Sequence, residues 1–527
     1  MKAFFRFLFL KYLIPQTKGS FVFLGILVFT ACSSIPEHPY KPIEHSFNPA
    51  KIGLPAETSQ TIQKDLAQNS CAFWLIQNNT EALCWRLALI DSAQSSIDLQ
   101  TFIWSNDEAG RLIAKHIILA AKRGVRVRLL IDDIVKEWGD ENVTLMARMP
   151  NIKLRHFNPG RIRKGPLQRM LQMSLQFNKL NRRMHNKQIL VDGCWALIGG
   201  RNLGNPYFGL AKEYNNRDLD LLLTGAVVPK MATYFDVYWN AKATYPGEAF
   251  SENLSEKKKA KLQKKFDDQL IKDRLFFAPT KIPFDPIDWR FKFQKLLSGK
   301  KITGTAKILQ DSPEVEGDRG KRLLEQISQK QLVVTHQLSI ISPYLIPTDS
   351  FFEYIKKTTK NNAKIRILIP ALDSNNHTMA HSHYQKYRKK LLDTGLDLYE
   401  FSGSPSESLR RDSDTPPYRA QFISLHTKAF ILDEKWVFLG SLNLDPRSIF
   451  INTEHLLLIH SPALAEEMLT SFNTLIAPEN AWHIQRNKKG KLYWISEKGK
   501  QTRQPAHSLW QRFSCFFWRW LPIENQL

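Results

Sequence analysis

Two stretches of this chain carry the same reactive side chains at the same spacing. His185, Lys187, Asp192, Gly199 and Asn202 stand at offsets 0, 2, 7, 14 and 17, and His426, Lys428, Asp433, Gly440 and Asn443 repeat them. Each run reads as a strand, a turn and a returning strand. The turn is Asp192-Gly193 in the first copy and Glu434-Lys435 in the second, Asp-Gly being a strong hairpin signal. Side chains alternate faces along a strand, so each His shares a face with the Lys two positions on. The returning strand brings Asn202 or Asn443 back beside that His. Asp192 and Asp433 fall in the opposite phase and read as structural or supporting members of the motif. Burying a His and a Lys together is costly, and folding alone gives no reason to do it twice. Phosphoryl transfer does. One imidazole can attack phosphorus while a second protonates the leaving oxygen. Lys, Asn and the amides of small residues can hold charge on the non-bridging oxygens. Lys is a poor metal ligand and repels cations, so the pattern calls for neither a metal nor another cofactor.

The elements upstream repeat as well. SSIDLQTFIW (Ser95–Trp104) reads as a strand, a helix continues to Arg123, and VRVRLLID (Val125–Asp132) is a second strand. LSIISPYLI (Leu338–Ile346), a helix near Phe351–Lys360 and KIRILIP (Lys364–Pro370) follow in the same order. Ile97 to His185 is 88 positions, and Ser339 to His426 is 87. A duplicated α/β unit with mixed or parallel sheets is therefore expected, its two His facing each other across a pseudo-two-fold axis. The length of 527 residues is too great for one ordinary core and fits two such domains with extensions. An apolar fraction of 43% excludes a disordered chain. The formal charge of +24 suits a polyanionic partner, either nucleic acid or an anionic membrane.

The twin HxK(x)4D runs, each followed by G-[GS]-x-N, resemble the phospholipase D superfamily. The runs NRRMHNK, GGRNLGNPYFG, NNRDLDLLLTG, SLHTKAF, GSLNLDPRS and NTE look like its bacterial cardiolipin synthase C branch, from about Cys71 to the final LPIENQL. The resemblance implies two pseudo-symmetric domains, each a mixed sheet flanked by helices, sharing one active site. It implies a metal-independent reaction through a phosphohistidine, in which one phospholipid loads the His and a lipid alcohol takes the phosphatidyl group to give cardiolipin. Phosphatidylglycerol, with phosphatidylethanolamine as a further substrate, would be the lipid partner. A helper protein is compatible with the branch. Carried over by position, the catalytic motif is His185, Lys187, Asp192, His426, Lys428 and Asp433, with His185 as nucleophile by family habit. Asn202, Asn443, Gly200 and Ser441 would surround the phosphoryl oxygens. Asp218 and Glu454 would orient the imidazoles. Arg447 would contact phosphate or pair with an acid. Two positions depart from the branch: His383 stands where Gly is expected, and Glu314-Val315 follow Asp311-Ser312-Pro313 where Lys is favoured.

The expected layout is an export signal over 1–32, a tether over 33–70, domains over 71–245 and 306–480 with a basic linker over 246–305, and an extension over 481–527. Basic Met1–Ser20, the apolar Phe21–Ala31 run and Cys32 resemble a lipoprotein signal, with Cys32 as the lipid anchor. An uncleaved signal anchor is the alternative. Either places the protein at the bacterial cell envelope, membrane-attached and facing the periplasm. Cys71, Cys84, Cys194 and Cys515 lack metal-type spacing and read as buried thiols. Six lysines in SEKKKAKLQKK (Ser255–Lys265) mark a basic, solvated linker helix. His377, His381 and His383 read as an incidental loop cluster. Two segments, Arg161–Arg183 and Ser508–Pro522, are apolar or aromatic between basic residues and read either as interfacial helices or as helices docked on the core. No nucleic-acid partner is expected. The alternatives to lipid transfer are phospholipase D hydrolysis to phosphatidic acid and a nuclease of the same superfamily.

Overall fold

The computed structural model describes residues 35–36, 39–134, 137–163, 165–250, 254–315 and 322–527. The export signal and Cys32 lie outside the described residues. Each half contributes a mixed sheet of the same order. In the first, β1 (Cys71–Ile76), β2 (Ser96–Thr101), β3 (Arg126–Asp132), β4 (Ile152–Phe157), β5 (Gln188–Val191), β6 (Trp195–Gly199), β8 (Asp220–Gly225) and β9 (Thr244–Pro246) pair as β1-β8-β6-β5-β2-β3-β4-β9, with β7 (Tyr214–Arg217) set apart. The β2-β3-β4 run is parallel and the other pairs antiparallel. The second half repeats the order with β10 (Ile302–Gln310), β11 (Gln337–Ile341), β12 (Lys364–Pro370), β13 (Asp397–Phe401), β15 (Ala429–Leu432), β16 (Trp436–Gly440), β17 (His455–His460) and β18 (Ala481–Arg486), joined as β10-β17-β16-β15-β11-β12-β13-β18. Two short strands, β19 (Leu492–Ser496) and β20 (Gly499–Gln501), extend it. The sheets join edge to edge where Cys71–Phe73 of β1 pair with Ile302–Gly304 of β10. Away from this seam, β14 (Phe422–Leu425) pairs in parallel with β7, one strand from each half.

The central strands read as apolar runs because helices cover their faces. Those helices start at side-chain caps that accept orphan amides: Asn78 from Glu81, Asp107 from Gly110, Thr348 from Phe351 and Ser461 from Leu464. The helices Val228–Trp239 and Pro462–Ile476 pack into one apolar core shared by both halves, through Met231, Phe235, Met468 and Phe472 among others. This shared core fixes the halves against each other.

Three details differ from the sequence expectation. The second hairpin turns at Asp433-Glu434, both at positive φ, one residue earlier than expected. Asp, like Asn, tolerates that conformation better than most residues, so Asp433 fills the place of Asp192. The lysine-rich Ser255–Lys265 stretch is solvated, but the linker beyond it is docked: the helix Glu256–Phe277 buries Asp273 against Arg111, and Phe277, Trp289 and Phe293 enter the first half's core. The tether is docked too. Arg155 donates to the carbonyl of Pro42, and Ser46 donates its amide to Asp236.

Candidate active site

His185 and Lys187 precede β5, and His426 and Lys428 lie between β14 and β15, so the motif begins before the sheet rather than inside it. The cause is a cross-over. The amide of His185 donates to the carbonyl of Thr453 at 2.9 Å, and that of His426 to the carbonyl of Arg217 at 2.9 Å. Each His segment thus leaves its own sheet and zips onto the residue preceding a carboxylate of the other half. His185 Nδ1 lies 2.9 Å from Glu454 Oε2, and His426 Nδ1 lies 2.6 Å from Asp218 Oδ2. His185 Nδ1 is also 3.0 Å from the carbonyl of Ser441. With Nδ1 held by a carboxylate, Nε2 of each ring is the atom turned to chemistry, that of His426 with Lys428 Nζ 3.2 Å away.

Both imidazoles open onto one cavity of about 790 Å³, lined also by Asn202, Asn443, Tyr207, Tyr344, Arg447 and Ser448. Phe102 packs edge-on against His185 and Tyr207 against His426, with ring centroids 4.9 and 5.2 Å apart. Both lysines are buried and donate to the carbonyl of the His two positions before them, and Lys428 Nζ lies 3.0 Å from Nδ1 of His426. Asn202 donates to the Tyr207 hydroxyl at 2.8 Å, whereas the carbonyl oxygen of Asn443 is buried without a hydrogen-bond partner. These groups could hold a tetrahedral oxyanion.

Burial governs the electrostatics. It drives His426 down to about 3, with Lys428 adding to the effect, and holds His185 well below its usual value, with Lys187 and Lys428 adding. It lowers Lys428 to about 8 and Lys187 well below the ordinary ammonium range. The two carboxylates diverge. Burial pushes Glu454 up to about 7. Burial acts the same way on Asp218, but the His426 ring bonded to it and the charges of Lys428 and Arg201 outweigh it and hold Asp218 below the normal carboxyl value.

Asp192 and Asp433 are not at the reacting centre. Asp192 accepts the amides of Gln94, Ser95 and Ser96, and Asp433 those of Thr335, His336 and Gln337. Each carboxylate ties the hairpin turn to the start of a neighbouring strand. Gly200 is required by space, since a Cβ there would lie 2.5 Å from Asp218 Oδ1. Its counterpart Ser441 donates its hydroxyl to Glu454. Arg447 donates to Asn181 and to the carbonyls of Asn181 and Gln526. His377, His381 and His383 lie on or at the cap of the helix Thr378–Tyr384, not a loop, and face different partners: Tyr344, Arg388 and Glu524. The sequence reading missed Phe102, Tyr207 and Asn181, which carry no motif of their own.

A duplicated mixed sheet with two crossed His–carboxylate pairs at one cavity defines a phospholipase D fold, and the chain matches the family described as "Cardiolipin synthase, PLD-like domain" over residues 87–239 and 323–476. The protein belongs to that family and is a transferase of the phospholipase D superfamily. It is 32% identical to cardiolipin synthase C of Escherichia coli (strain K12) over 86% of this chain and 96% of that one. It is 24% identical to a cardiolipin synthase of Staphylococcus aureus over 78% of this chain and 68% of that one. Among solved structures, it matches the phosphatidylserine synthase of Haemophilus influenzae Rd KW20 in fold, with a TM-score of 0.54 at 15% identity over 80% of this chain and 91% of that one.

Proposed function

We propose that this enzyme moves a phosphatidyl group from one phospholipid, phosphatidylglycerol in the first instance, to a hydroxyl of a second, producing cardiolipin. The observation that carries this reading is the crossed pair of oriented imidazoles opening on one cavity. His185 attacks phosphorus through Nε2, the ester bond to the leaving oxygen breaks, and His426 supplies that oxygen's proton. The acceptor hydroxyl then attacks phosphorus, gives its proton to His426 and frees His185. His185 is taken as the nucleophile from the family resemblance. Burial holds both rings low, and a nucleophile must be neutral. The ionised Asp218 beside His426 stabilises that ring while it carries the proton in transit. Lys187, Lys428, Asn202 and Asn443 hold the phosphoryl oxygens.

The cavity rim supports a lipid substrate. The helix Pro166–Leu175 lends Met170 and Met173 to the cavity wall and leaves Leu171 and Leu175 51% and 76% exposed. The helix Leu509–Trp518 exposes Trp510 and Phe513 by 73% and 58%. It packs against the helix Thr378–Tyr384, whose Met379 and Ala380 line the same cavity. Apolar helices that carry Arg169, or Arg512 with Arg519 at the C-cap, suit an anionic membrane surface. Among the described residues no helix is long and apolar enough to cross a membrane. Attachment is assigned to the N-terminal segment ending at Cys32, in the bacterial envelope and facing the periplasm.

The test is lipid mass spectrometry on phosphatidylglycerol vesicles, with and without phosphatidylethanolamine, in chelator. Cardiolipin is expected, and it is expected to vanish in His185→Asn. Phosphatidic acid alone would replace transfer with hydrolysis, and no lipid product would remove lipids as substrate. A p-nitrophenyl phosphatidyl ester, whose leaving group needs no acid, separates the two His. It should load His185 in the His426→Asn enzyme and leave His185→Asn unmodified. The reverse pattern would exchange their roles.

A further inference from the structure

The segment Glu524–Leu527 follows both repeats, and Gln526 and Leu527 line the catalytic cavity. It is held from two sides. On one, Glu524 takes His383 and Lys386 at 3.1 Å each, together with the hydroxyl of Tyr387. On the other, Gln526 accepts from Asn181 at 2.7 Å, and the amide of Arg447 donates to the carbonyl of Leu527 at 2.9 Å. Asn181 belongs to the first half and Arg447 to the second, so the segment bridges them over the cavity. The carbonyl of Arg447 accepts the amide of Asn452 at 2.8 Å, and the next residue, Thr453, holds the amide of His185, which puts this wall on the His185 side. The side chain of His383 is wholly buried beneath the segment it holds.

We propose that the Glu524–Leu527 segment, clamped by His383, is the water-excluding wall of the passage to His185 and sets whether a loaded phosphatidyl group passes to a lipid hydroxyl or to water. The inference rests on the transfer reaction above. In both outcomes the phosphorus–nitrogen bond to His185 breaks and the attacking oxygen's proton goes to His426. The products differ only in whether that oxygen came from a lipid alcohol or from water. A closed wall leaves the apolar cavity as the route for an acceptor with acyl chains. An open one admits solvent, against which no active-site group discriminates. His383 and Glu524 are positioning residues, since neither touches the cavity.

The experiment compares Glu524→Ala and His383→Gly with the unaltered full chain on phosphatidylglycerol vesicles. It measures cardiolipin and phosphatidic acid together, and hydrogen exchange over residues 521–527. The expected result is faster exchange in that segment, total turnover within about twofold, and a transfer-to-hydrolysis ratio lowered by about tenfold. Glu524→Gln, which keeps the shape and weakens the clamp, should fall between. Faster exchange with an unchanged ratio would overturn the proposal. So would unchanged exchange in Glu524→Ala, because the clamp would not hold the segment. Equal loss of both products in every variant would also overturn it, making the segment part of the catalytic centre. If the unaltered enzyme forms neither product from lipid, the transfer reading fails, and the exchange data still judge the clamp separately.

Discussion

The two half-sites are built on one plan with different parts. Around His426 stand Asp218, Gly200 and Tyr207, whose hydroxyl takes the Asn202 amide. Around His185 stand Glu454, Ser441 and Phe102. The short carboxylate sits against a glycine, in space that a side chain would fill. The longer one meets a serine hydroxyl instead. The first arrangement leaves Asp218 ionised, while the second pushes Glu454 up to about 7. A symmetric scaffold has thus acquired two carboxylates of different charge state beside two rings that burial holds low alike.

The sharpest way to break this comparison is to neutralise each carboxylate in turn. Asp218→Asn removes a charge that is fully present and should lower kcat/KM by about 10²-fold. Glu454→Gln removes one that is only partly present near neutral pH and should cost about tenfold. Steady-state kinetics on mixed micelles would measure both, and equal losses would mean that the dyads do not differ. The lysines sharpen it further. Lys428 is protonated below about 8, and its charge is what would stabilise the phosphoryl oxygens. Activity should therefore fall as pH rises through that value, by about tenfold per unit on the limb of kcat/KM that reports the free enzyme. Lys428→Arg should carry the limb to higher pH, and an unmoved limb would assign it to another group. The smallest effects belong to the turn carboxylates. Asp192 is buried and Asp433 half-buried, each serving three backbone amides. Denaturant unfolding should show a loss of about 3 kcal/mol for Asp192→Ala and about 1 kcal/mol for Asp433→Ala, with activity per folded molecule retained.

Much of this site was legible in the sequence, because reactive groups at fixed spacing and a repeated strand pattern are local signals. The order of strands around each motif and the opposite phase of Asp192 and Asp433 followed from period-two alternation. Pairing across the halves was not legible. Asp218 and His426 are 208 positions apart, and His185 and Glu454 are 269. No spacing rule says that each carboxylate serves the other repeat's imidazole. The docking of the linker was hidden for a related reason. Its lysines dominate the composition, while the few aromatic residues that seat it act only once the first half's core exists. Arg447 shows a third limit: from sequence its guanidinium suits either a phosphate or an acid, and only the fold reveals that it holds a distant segment.

The crossed carboxylates carry a historical implication. An ancestral half could have worked only as a pair of identical copies, with every substitution felt twice, once on each side of the axis. Joining the copies in one polypeptide made each change single. Gly200 and Ser441, or Asp218 and Glu454, could then part company without either dyad losing the partner that the other copy supplies.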